Sequence, residues 1–77
     1  MKTTKQVLEQ VVQEADALND KGNRLYGFIL SKKYDKLEKE EQITLSQQMG
    51  FMAGYHDALE ARISLLQARL VLENSKS

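Results

Sequence analysis

Residues 45–70, LSQQMGFMAGYHDALEARISLLQARL, decide the fold. Leu45, Met49, Met52, His56, Leu59, Ile63, Leu66 and Leu70 are separated by alternating steps of four and three, and every member but His56 is apolar. That spacing returns to one side of an α-helix every two turns, so it predicts a long helix with a heptad seam. The sequence contains no proline, and Glu38, Glu40 and Glu41 suit the positive end of a helix dipole. The helix is expected over about residues 38–73, with 74–77 as a polar, frayed tail.

The first half carries a matching seam of Leu8, Val11, Ala15, Leu18, Gly22, Leu25 and Ile29. Thr3 and Gln6 have capping-box spacing, which places a helix over about residues 4–30. Asn19, Asp20, Gly22 and Asn23 are its weak point, because their side chains or freedom compete with helical hydrogen bonding. Between the two helices, residues 31–37 form a short basic turn. Lys32 and Lys33 are expected to complement the first helix's negative end, with Tyr34 and Leu37 folding back as hydrophobic plugs. The expectation is an all-α chain, one antiparallel two-helix hairpin domain over residues 1–77.

The second helix has more apolar surface than one partner covers. Phe51, Ala58, Leu65 and Leu72 recur every seven residues, with Tyr55, Arg62 and Arg69 four residues after the first three. Two stripes on one helix imply two neighbours. Size argues the same way: a chain of about this length buries only about 60% of its unfolded surface, and a two-helix hairpin does worse than a globule. Without cysteine for disulfides, association is the remaining remedy. The chain is therefore expected to assemble as an obligate homo-oligomeric helical bundle, a dimer or tetramer.

Composition excludes several functions. The 77 residues carry 11 Lys and Arg against 11 Asp and Glu, and that balance disfavours DNA or RNA polymers, which select a basic face. A transcriptional regulator is disfavoured on the same ground and by the lack of a helix-turn-helix pattern. A single histidine and no cysteine leave a transition-metal site poorly equipped, so no metal or cofactor is expected. No run of about 18 apolar residues and no signal-like segment is present, so the reading is of a soluble intracellular protein without a membrane partner. No catalytic residues are assigned. His56 sits on the seam as a core histidine, and pairs such as Glu9 and Glu14 or Glu40 and Glu41 read as solvated faces. The four glycines lie scattered in helical stretches and form no phosphate loop. An enzyme is not expected.

Gln48, Tyr55 and Arg62 recur at intervals of seven and lie about 10 Å apart along one helix face. Tyrosine offers a stacking surface, arginine a planar bidentate grip on phosphate, and glutamine a hydrogen bond to a base edge. The trio suits a compact anionic ligand carrying aromatic bases. On spacing alone it better suits a polar strip flanking a seam, with Arg62 paired to Asp57 or Glu60 of a neighbour. Arg24, Tyr26, Lys32 and Lys33 form a second basic-aromatic group near the turn, from which Arg24, Tyr26 and Lys33 are further candidates for ligand contact.

The stretch from Leu25 to Ile63 resembles a family of small phage and prophage proteins named after a reading frame of a crAss-like phage. The resemblance is carried by Phe28-Ile29-Leu30-Ser31, Tyr34, Leu37, Glu41-Gln42, Gln48, Met52, Tyr55 and Arg62-Ile63. Glu38 stands where that family often has a serine or aspartate cap, and Thr44 where it usually has leucine. The resemblance implies a phage accessory protein acting in the cytoplasm of an infected bacterial host. By analogy with small helical phage sponges, it implies sequestration, without hydrolysis, of a cyclic dinucleotide or related signal made by a defence system such as CBASS. The alternative is a helical protein-interaction module whose second stripe docks a host or phage protein.

Overall fold

A computed structural model describes residues 1–75. Helix α1 spans Thr4–Ile29, a single helical turn α2 spans Lys32–Asp35, and α3 spans Lys39–Ser75. The long helices α1 and α3 pack against each other as an antiparallel hairpin, and no strand is present among the described residues. Its extents are 60 × 20 × 14 Å and its radius of gyration is 17.4 Å, against about 11.5 Å for a compact chain of this size. The thinnest dimension is little more than one helix diameter of about 10–12 Å.

The start of α1 follows from its cap. Thr3 is extended; its hydroxyl accepts from the Gln6 amide at 3.2 Å, and the Gln6 side chain accepts from the Thr3 amide at 2.9 Å. Two otherwise orphaned donors are thereby satisfied. The helix continues without interruption through Asn19–Asn23, so packing of the apolar stripe outweighs the local preference of those side chains. At the open end of the hairpin, the Thr4 hydroxyl donates to both Glu73 carboxylate oxygens at 2.6 Å.

The turn is more structured than its sequence suggests. Leu30 caps α1, and the Ser31 hydroxyl donates to the Phe28 carbonyl at 2.6 Å. Lys32 and Lys33 belong to α2, beyond the last turn of α1, which itself contains no basic residue. Tyr34 does plug the turn. Its ring meets Phe28 edge-on with centroids 6.5 Å apart, and its hydroxyl lies 3.0 Å from both the Gln42 carbonyl and Ser46 Oγ. Gln42 returns a bond from its side-chain amide to the Tyr34 carbonyl at 2.9 Å. These tertiary bonds hold four residues as helix where local propensity alone is too weak to nucleate one.

The interior is narrow. Val11, Ala15, Leu59 and Leu66 are buried, with Val7, Leu8, Leu18 and Ile63 packed around them. Along α3, the positions turned away from water are Gln42, Leu45, Met49, Met52, His56, Leu59, Ile63, Leu66 and Leu70, which is the expected seam with Gln42 added. Residues 74 and 75 are helical instead of forming a frayed tail, while 76 and 77 lie outside the described residues.

Candidate functional site

The face of α3 beside the seam is the richest in chemistry. Thr44, Gln47, Gln48, Phe51, Met52 and Tyr55 line an open groove of about 470 Å³. Further along α3, Lys2 and the α1 residues Thr4 and Val7 join Arg62, Leu65 and Arg69 around a second groove of about 280 Å³. The structure thus brings Gln48 and Tyr55 together and places Arg62 in a separate groove, two turns further along α3.

Tyr55 bridges the two helices. Its hydroxyl donates to Glu14 Oε1 on α1. Glu14 is therefore a hydrogen-bond acceptor at the hairpin contact as well as part of the solvated face read from sequence. The neutral phenol is favoured by that bond, then by burial and by the Glu14 charge, while Arg62 opposes them; the Tyr55 pKa is raised above its ordinary value. Arg62 is consequently close enough for its charge to register at Tyr55.

Arg62 and Arg69 are exposed and have no carboxylate within ion-pair distance among the described residues. Lys2 donates to Gln10 Oε1 at 2.9 Å, so its head group is held against α1. Three cations therefore border one groove, and a ligand phosphate would not have to displace an ion pair from either arginine. Lys2 carries no signal in local spacing, whereas Arg69 continues the seven-residue interval of Tyr55 and Arg62. Their approach follows from the antiparallel register that sets Thr4 against Glu73, a register that only the turn length and both seams together define.

The other candidates lie apart. Arg24 and Tyr26 are exposed on the last third of α1, and Lys33 is exposed on α2; none of them lines either groove. His56 is half-buried on the far side of the seam, with Nε2 3.7 Å from Glu60 Oε1 one turn on. It borders a separate depression with Leu18, Asn19, Met49 and Met52. Among the described residues, no group of three or more His, Cys, Asp or Glu side chains is arranged to hold a metal ion, and no helix is long and apolar enough to cross a membrane.

The chain belongs to the Sequestin family, whose model matches residues 5–65. That span includes Gln48, Tyr55 and Arg62 and ends before Arg69. No curated protein and no solved structure gives a significant match.

Proposed function

We propose, from membership of the Sequestin family, that this chain is a non-enzymatic sequestering protein whose ligand is a small anion bearing aromatic bases. The family's name is that of a protein that withholds something from use. The observation that carries the ligand class is an aromatic groove, lined by Phe51 and Tyr55, on the same side of α3 as a groove bordered by Lys2, Arg62 and Arg69, with Tyr55 and Arg62 about 10 Å apart along the helix. Rings stack a base, guanidinium groups hold phosphate in bidentate fashion, and Gln48 anchors a base edge.

A cyclic dinucleotide or related defence signal has both components in one compact molecule. In this reading the protein is a phage accessory factor in the cytoplasm of an infected host, withholding a CBASS-type signal from its receptor. Binding as an oligomer suffices for that task, and no bond of the ligand has to be broken. Titration calorimetry with cyclic di- and trinucleotides and cyclic ADP-ribose isomers tests the proposal. One of these is expected to bind, to be recovered intact after heat denaturation, and to lose its binding in Arg62→Ala; failure of the whole panel overturns the reading.

The exposed apolar side chains of α3 favour a second reading, a module that docks a host or phage protein. A stoichiometric protein partner recovered from infected cells, together with a failed nucleotide panel, would select it.

A further inference from the structure

The outer side of α3 is an unfinished surface. Phe51 is 78% exposed and Leu65 72%, with Gly54, Ala58 and Ala61 between them in sequence. A methyl group added at Gly54 would meet nothing within 4 Å, as at the other three glycines, so the helix surface there is open to a neighbour. The accessible area is 6161 Å², whereas a folded monomer of this mass exposes about 4,800 Å². The surplus is about 1,400 Å² per protomer, within the range of about 1,000–2,500 Å² that each partner buries in an obligate dimer.

The arrangement along α3 selects the partner and its orientation. Phe51 precedes Ala58 by seven residues and Leu65 follows it by seven. Tyr55 precedes it by three and Arg62 follows by four, while Gln48 precedes it by ten and Arg69 follows by eleven. A two-fold axis beside Ala58 therefore sets each aromatic or amide position against a cationic one. Along a single helix Gln48 and Arg69 are about 30 Å apart; across the axis the same pair is offset axially by only about 1.5 Å.

We infer that a second copy of this chain packs antiparallel on the Phe51–Ala58–Leu65 face of α3, and that each binding site is shared between protomers. Tyr55 and Gln48 come from one subunit, and Arg62 and Arg69 from its partner. The shared site rests on the sequestering reading; the pairing of the helices does not. Ala58 and Gly54 let the helices approach to the short end of the usual 8–10 Å range. Phe51 is then covered by the partner's Leu65. The two composite sites lie on the same side of the dimer, one to each side of the axis, with the Tyr55–Arg62 pair of each about 5 Å from it and the Gln48–Arg69 pair about 16 Å from it.

Cross-linking tests the pairing directly, because the sequence contains no cysteine. Facing helices at that separation bring the two copies of residue 58 within the range of about 4.4–6.8 Å between Cα atoms that a disulfide spans. Oxidised Ala58→Cys is expected to run as a covalent dimer, and Glu60→Cys, on the opposite side of the helix, as a monomer. No dimer from Ala58→Cys, or equal cross-linking from Glu60→Cys, would overturn the pairing even if the protein binds nucleotides.

Subunit mixing tests the shared site. Tyr55→Ala and Arg62→Ala proteins are each titrated with cyclic di-AMP, cyclic di-GMP and cyclic GMP-AMP, then unfolded together and refolded. Each variant alone is expected to lose binding, while the mixture regains about one quarter of the wild-type sites, because half the dimers are mixed and each of those has one intact site. No recovery, where wild-type protein binds, places Tyr55 and Arg62 in one protomer's site and overturns the sharing. If wild-type protein binds none of the three while Ala58→Cys still cross-links, the shared site falls with the ligand reading and the pairing stands.

Discussion

Tyr55 links the hairpin contact to the candidate site through a single oxygen. Its hydroxyl is committed to Glu14, while its ring borders the groove that Gln48 and Phe51 also line. The bond exists only while the phenol keeps its proton, which is why its pKa is raised. A raised folded-state pKa gives stabilisation that is fully present below the unfolded value near 10 and is lost as pH rises through the higher folded value. Ultraviolet titration of phenolate is expected to show a late Tyr55 step that moves to lower pH in Glu14→Gln and disappears in Tyr55→Phe. The same Glu14→Gln change keeps an acceptor for the phenol, so it is expected to leave helicity intact by circular dichroism. A second residue-scale expectation concerns Leu59, 3% exposed and packed in the narrow core. Leu59→Ala is expected to cost about 2–3 kcal/mol in urea unfolding, at the low end of the usual range because a two-helix ribbon collapses readily around the loss.

At the scale of the element, the two long helices differ in what their sequences reveal. The α1 stripe is one-sided, and all seven of its expected seam residues are half-buried or buried. Gly22 occupies one of those positions, yet a methyl group there would touch nothing within 4 Å. Gly22→Ala is therefore expected to raise stability by about 0.5–1 kcal/mol through helix propensity, read as a higher urea midpoint with an unchanged slope. In α3, apolar residues occupy two sides, and the seam could still be read because its alternation of four and three is unbroken over 26 residues. The turn could not be read to the same depth. The helical turn α2 exists because the Tyr34 ring and hydroxyl are engaged by Phe28, Gln42 and Ser46, partners that lie between six and twelve residues away. Local propensity contains none of that. The candidate site divides along the same line: Gln48 and Tyr55 share a groove because heptad spacing alone puts them together, whereas Lys2 reaches Arg62 and Arg69 only through the antiparallel register of the whole hairpin.

The whole molecule is a ribbon 60 Å long and 14 Å thick, a shape with one packed interface and two open faces. Four buried residues among those described are a small core, and the outward apolar side of α3 is where further burial is available. If that side is closed by a second copy, folding and association are one equilibrium, and the melting temperature must depend on concentration. For a two-state dimer each tenfold increase in concentration adds about 1.4 kcal/mol to the stability per dimer, so wild-type protein is expected to melt at progressively higher temperature across a dilution series. Phe51→Asp separates this effect from any loss within the hairpin, since Phe51 is largely exposed in the protomer and its replacement removes little from the α1–α3 contact. Against a partner's leucine, however, the carboxylate would be buried without a counter-charge. The variant is expected to sediment as a monomer, to melt below wild type, and to show no change in melting temperature with concentration. A wild-type melting temperature that is flat over the series, or a Phe51→Asp protein that sediments as the wild type does, would leave the ribbon to stand on its single seam.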